Sequence, residues 1–190
     1  MNYRRNEDKL VFPPHHVYND VKVLLESESS PTEPVTLADF KVHARIESSD
    51  EDAYHTALLI TARKLFERVT GIGLVIKTMT VTVRNEKSAV ALPYAPYSSI
   101  TSFVDSEGEA VTSDEYEFID SIYLDNPVTD YSKIVYVTAP GTIPQDIKHA
   151  IYEIASFYTM HRGDSKVKGE DYNVRLHQIC APFKRGVWLL

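Results

Sequence analysis

The residues of this chain that could do chemistry are seven histidines, one cysteine and many carboxylates. His15 and His16 are adjacent in a proline-rich segment, and His43 and His55 fall on different predicted helices. His149 and Glu153 stand four apart on one predicted helix, a spacing at which both side chains can face one metal ion. The HExxH pair and the Cys/His spacings of zinc sites do not occur, so ordinary surface and interface histidines are the stronger reading. Nucleophilic catalysis fares no better: there is no GxSxG, and Cys180 stands in no active-site signature. "GIG" at Gly71–Gly73 follows a helix and precedes a strand, the reverse of a phosphate-binding loop. "DSEGE" from Asp105 shares its acids with a calcium loop but not the twelve-residue register, and reads as an acidic hairpin turn. "RGD" at Arg162–Asp164 reads as chance. No enzyme motif survives, so no catalytic residue, metal or cofactor is expected.

The densest polar stretch, "EPVTLADFKVHARIESSDEDAYH" from Glu33 to His55, has six carboxylates and two histidines and reads instead as scaffold. Thr36 precedes an apolar pattern with Asp39 three residues on, a variant of the capping box. Leu37, Phe40 and Ala44 share one face. A second cap is predicted at Ser48 or Ser49, placing Asp50, Glu51 and Asp52 in a first helical turn, where the helix dipole favours negative charge. Leu58, Ala62, Leu65, Phe66 and Val69 then form an apolar stripe, and Gly71 is a natural stop.

The elements that follow change period. "LVIKTMTVTV" alternates and is β-branched, and "AVALP", "SITSFV", "YEFI", "SIYL" and "SKIVYVTAP" follow at short intervals between Pro, Gly, Asn and Asp. They predict an antiparallel sheet of about five or six strands. Helical period returns after Pro144, with Ile147, Ile151, Ile154, Ala155 and Tyr158 on one face. "YNVRLHQICAPF" predicts a short last helix, and "GVWLL" ends the chain on an apolar note. Before Glu33 only "VYNDVKVLL" is strand-like; it predicts an arm adding one strand to the sheet or to a neighbour. Helices, then strands, then helices define an α+β fold: an N-terminal helix pair and later helices forming a bundle, with an antiparallel β insertion.

A length of 190 residues suits one domain with arms, and 43% hydrophobic residues suffice for a core. The net charge of −7 argues against general nucleic-acid binding. No signal-like or membrane-spanning run is visible, and a soluble intracellular protein is expected. Charge is segregated: Asp105 to Asp130 holds nine acids and no Lys or Arg, whereas His161 to Leu190 holds six Lys or Arg against three acids. Two unlike faces permit head-to-tail contacts between copies.

The segment "EPVTLADFKVHARIESSDEDAYHTALLITARKLFERVTG" resembles the opening of the head–tail connector (adaptor) proteins of tailed phages. The matching positions are Pro34, Val35, Thr36, Leu37, Asp39, Lys41, His43, Arg45, Ile46, Asp50, Glu51, Asp52, Thr70 and Gly71. "APGTIPQDIKHAIYEIASFYTMHR" resembles the family's second signature, and "ICAPFKR" its close, with Cys180 in place of a leucine. Met79 stands where the family often has Trp, the arm before Pro34 is longer than usual, and nothing past Arg185 matches. On this resemblance residues 1–33 are an arm and linker, and residues 34–162 the connector core (helices 36–70, a β-rich portion 74–139, a helix 144–161). Residues 163–190 are a loop, a short helix and a docking tail. The resemblance implies a non-catalytic virion protein of the neck, assembled in the host cytoplasm as a ring, twelve-fold to match a portal. Portal protein, further copies of itself and a stopper or tail-completion protein are the implied partners. DNA passes through the lumen without specific binding, and no membrane is involved. Lys184, Arg185, Val187, Trp188, Leu189 and Leu190 are the residues expected to bind the portal or a neighbouring subunit. The competing readings are another neck or tail component, such as a stopper or tail terminator, and a small metal-dependent hydrolase.

Overall fold

Thr36 opens the first helix. Its hydroxyl accepts from the Asp39 backbone N–H at 3.1 Å and donates to the Asp39 carboxylate at 2.8 Å, satisfying a donor that helix starts leave free. Helix α1 spans Leu37–Ala44 and stops at Arg45, whose left-handed conformation (φ 55°) lets the Ile46 N–H return to the Lys41 carbonyl at 2.9 Å. The computed structural model describes residues 21–28, 31–84, 89–90, 92–112, 116–118, 122–124, 131–163 and 169–184.

Helix α2 spans Asp52–Thr70, and its start corrects the sequence reading. Neither Ser48 nor Ser49 caps it: the N-cap is Glu51, with no side-chain cap bond. Ser48 instead closes a local turn, bonding the Asp50 carboxylate at 2.8 Å and accepting from the Asp50 N–H at 3.1 Å. Only Asp52 lies in the first turn, and its carboxylate takes the Lys41 ammonium at 2.7 Å; Glu51 takes Arg162 at 2.6 Å. Glu51 and Asp52 therefore tie the start of α2 to neighbouring elements. Gly71 ends the helix in the left-handed region (φ 75°), its N–H reaching the Glu67 carbonyl at 2.8 Å.

The strands are β1 Val21–Ser27, β2 Thr78–Arg84, β3 Ala89–Val90, β4 Tyr97–Val104, β5 Tyr116–Phe118, β6 Ile122–Leu124 and β7 Tyr131–Thr138. They do not make one sheet of five or six strands. The described strands form a four-stranded antiparallel sheet, in the order β1-β2-β7-β4, and a separate three-stranded one, β3-β6-β5. Strand β1 comes from the predicted arm and lies at the edge, with a register irregularity between Val23 and Leu25. Residues 1–20 of that arm lie outside the described residues. Asp105 closes the "DSEGE" turn, its carboxylate accepting from the Glu107 and Glu109 N–H groups at 2.9 Å each.

Helices α3 (Gln145–Met160) and α4 (Gly169–Cys180), with a 3₁₀ turn at Ala181–Phe183, complete the chain. The buried apolar side chains fall into two clusters. One is helical and includes Phe40, Leu58, Leu59, Ala62, Phe66, Ile151, Ile154, Leu176 and Cys180. The other belongs to the sheet: Met79, Val81, Val83, Leu92, Phe103, Ile134 and Tyr136.

Between the two clusters the chain passes Gly73 through a tight crossing. A Cβ built on Gly73 would sit 2.7 Å from the Tyr94 carbonyl oxygen, and the Gly73 N–H donates to the Ala95 carbonyl at 2.7 Å. Gly73→Ala should therefore cost about 1–3 kcal/mol in urea unfolding, as overpacking against backbone does. Gly141→Ala, where a Cβ meets nothing within 4 Å, should stay within about 0.5 kcal/mol.

Candidate functional site

The most elaborate polar arrangement in the described residues is a buried ion cluster at the same crossing. Arg63 and Glu67 lie one turn apart on α2, and Lys77 immediately precedes β2; each is at most 1% exposed. Arg63 uses its whole guanidinium fork. Nε and Nη2 grip Glu33 at 2.8 and 3.0 Å, Nη1 and Nη2 grip Glu28 at 3.1 and 3.0 Å, and Nη1 also reaches Glu67 at 2.8 Å. Lys77 Nζ meets Glu26 at 2.6 Å, Glu67 at 2.7 Å and Glu28 at 3.3 Å, and lies 4.5 Å from the centre of the Tyr94 ring. The second Glu67 oxygen accepts from the Leu74 N–H at 2.7 Å, fixing the chain as it leaves α2.

Charge balance explains the cluster. Arg63, Lys77 and Glu67 alone would leave a net positive charge in the interior, which is costly. Glu28, just after β1, supplies the missing negative charge, and the more exposed Glu26 of β1 and Glu33 of the linker complete the hydrogen bonds of the two cations. Burial pulls the Arg63 pKa down, but hydrogen bonds to Glu28 and Glu33 and the charge of Glu67 raise it by more; Lys77 is raised in the same way, by Glu67 and Glu26 against its burial. Burial pushes Glu28 up, yet Arg63, Lys77 and Lys64 together outweigh it and bring its pKa down to about 2. The arrangement makes the N-terminal strand a counter-ion of the body. Sequence reading did not single out Glu26 or Glu28. Two signals pointed inward: the i, i+4 pair Arg63–Glu67 beside the apolar stripe, and the alternation Lys77, Met79, Val81, Val83, which puts Lys77 in the buried phase.

The histidines divide. His55 is a core ring against Phe40 and Tyr54, with centroids 5.9 and 5.4 Å away. His43 of α1 and His149 of α3 both approach one oxygen of Glu153, at 3.9 and 3.7 Å, while Arg175 of α4 takes the other oxygen at 3.2 Å. Among the described residues no group of three or more His, Cys, Asp or Glu is placed to hold a metal ion. His15 and His16 lie outside them. Cys180 is buried in the helical core, and burial pushes its thiol up to about 12, so it is no nucleophile at neutral pH.

Of the predicted docking residues, the structure describes Lys184, half-buried just after the 3₁₀ turn, its N–H reaching the Ala181 carbonyl at 3.4 Å. Arg185, Val187, Trp188, Leu189 and Leu190 lie outside the described residues. The root of that tail is anchored, because the Phe183 ring packs at a tilt against Phe66 of α2, with centroids 5.5 Å apart. Two basic residues of the C-terminal third, Arg162 and Arg175, are paired within the chain, with Glu51 and Glu153.

The chain's sequence matches the model of the head completion protein family over residues 33–177. The chain belongs to that family, and its role is that of a structural head–tail connector. Its fold is similar to a chain in the virion of a native gene transfer agent particle, with a TM-score of 0.62 and 17% identity over 88% of this chain and 98% of that one. A chain in the neck of the empty particle, computed with C6 symmetry, gives 0.63 and 18% over the same shares. One in the neck of the native particle, computed with C12 symmetry, gives 0.52 and 16% over 83% and 94%. Comparison with individually curated proteins gives no match.

Two predictions follow from the cluster. Arg63→Lys removes the fork that serves three carboxylates and should cost about 3–5 kcal/mol in chemical denaturation, despite keeping the charge. Glu28 protonates near 4.5 when unfolded but only near 2 when folded, so between these values the unfolded chain binds more protons. Stability should fall as pH drops through that window, and thermal melts of Glu28→Gln should show a flatter acid limb than the parent.

Proposed function

We propose that the chain forms a ring beneath the portal at the DNA exit vertex, extends the DNA channel and presents a platform to the next neck component, a stopper or tail-completion protein. The observation that carries this reading is the family match across residues 33–177. The twelve-fold neck in which a similarly folded chain occurs supports a ring of the same order here. The ring assembles in the host cytoplasm, ends in the virion neck and does no catalysis. Its lumen lets DNA slide: a chain of net charge −7 repels phosphates.

The tail is the portal contact in this reading. Lys184 and Arg185 meet acids at the rim of a portal pocket, and Val187, Trp188, Leu189 and Leu190 fill it. Trp is enriched among interface hot spots, where one residue can contribute about 2 kcal/mol or more. Phe183 supports this arrangement by fixing the point from which the tail departs. Negative-stain imaging of the protein with and without portal tests the ring, and a particle without rotational order sinks it. Deleting residues 186–190 should abolish portal binding in pull-down while leaving circular dichroism and melting temperature nearly unchanged. A truncated chain that melts well below the parent would instead assign the tail to its own core.

A further inference from the structure

Strand β1 is in the sheet without being in the core. Its partner β2 buries Met79, Val81 and Val83 on the inner face, and Val23 stands opposite Val81 on that face. Yet Val23 is 42% exposed, because the sheet core ends under β2. Leu24, at the irregularity, is 50% exposed and Leu25 61%. Three consecutive apolar side chains thus stand open along an edge strand whose outer backbone groups no described strand pairs. Such an edge is a template for another strand. Natural edges are blunted by charge, proline or bulges; this one has Lys22 at one end, Glu26, which is engaged by Lys77, at the other, and a single irregularity, with no charge on the three apolar residues between.

We infer that β1 is a subunit contact, onto which a neighbouring copy of this chain adds its strand β4 in the antiparallel sense. This rests on the ring reading above. Each neighbouring pair in the order β1-β2-β7-β4 is antiparallel, so β1 and β4 run in opposite directions. A β4 laid beside the next copy's β1 therefore continues the alternation without reversing the subunit. The two strands are different surfaces, so the contact is head-to-tail, the kind that closes into a ring and not into a two-fold dimer. Ser98, Ser99, Thr101 and Ser102 of β4 are exposed and small, which lets a second backbone approach and the leucines of β1 pack across them. Ala110 and Val111 pair the outer side of β4 at Val104 and Phe103, so the contact falls on the Ser98–Ser102 part of that edge. The occupant is a second copy because both halves of the contact lie at opposite edges of one sheet, and only repetition brings them together.

The test uses the full chain, assembled with portal if needed. Leu25→Cys is combined in turn with cysteine at Ser98, Ser99, Thr101 or Ser102, and rings are oxidised and run on a denaturing gel. Cys180 stays unreactive because it is buried. At least one double variant should give a ladder extending past the dimer, and Leu25→Cys alone should give none. Leu24→Lys with Leu25→Lys alters only exposed side chains, so the monomer's melting should barely move, while the fraction in rings should fall about tenfold or more. Dimers from Leu25→Cys alone would overturn the inference in favour of two-fold pairing. Rings that form without any ladder, or that survive the lysines, would overturn it and leave the ring reading intact. A parent chain that forms no ring even on portal would overturn both.

Discussion

The structure turns on a balance of buried charge. Arg63 and Lys77 are both withdrawn from water, and Glu67 neutralises only one of them. A protein interior does not tolerate the remainder. Glu28, like Glu67, is bonded by both cations and balances the second charge, and Glu26 and Glu33 complete their coordination. These acids lie on or beside β1, so docking the N-terminal strand neutralises the body, and the body holds the strand. Buried ion pairs are weak evidence for net stability, since well-packed apolar residues often replace them without loss. What this cluster supplies is geometry: five directed bonds from one guanidinium set the linker, the strand and α2 in one register. The two apolar clusters alone do not fix how helices and sheet meet.

That constraint also explains which parts of the fold could be read in the sequence. The helical stripes were legible because a period of 3.6 repeats over many residues: Leu58, Ala62, Phe66 and Val69 are buried, as are Ile147, Ile151 and Ile154. The Thr36 cap was legible because its partner is three residues away. Ser48 was misread for the same local reason. Its hydroxyl had two candidate uses, and the turn with Asp50 won over the helix start. The N-terminal half of the ion cluster was hidden because its acids stand 30 to 51 residues from their cations, as with Glu33–Arg63 and Glu26–Lys77, and no local pattern encodes such a pairing. The division of the strands into two sheets was hidden too, since alternation reports a strand's face and not its neighbour.

The candidate chemistry shrinks once side chains have positions. His55 is a core ring, Cys180 a core thiol, and Glu153 a hub for Arg175 and two histidines that joins α1, α3 and α4. Asp52 and Glu51 are taken by Lys41 and Arg162. Each of these described groups is aimed at another element of the chain, so they hold its shape, and the family to which residues 33–177 belong supplies the connector role.

One strand resists that description, and it does so because of the clamp. Strand β1 makes its strong attachments through charge, at Glu26 and at Glu28 just beyond it, and through its ladder with β2. Apolar burial contributes little to its place, since Val23, Leu24 and Leu25 remain in water. A strand needed only as a counter-ion carrier would do as well with threonines at those positions. Threonine pairs as readily in a ladder and carries no penalty for exposure. Apolar residues left open in this way indicate a cover that the described residues do not supply. In this chain the ionic clamp fixes the strand's position and register before assembly. The leucines then meet a partner from a pre-ordered edge, and ordering entropy that would otherwise weaken the contact has already been lost.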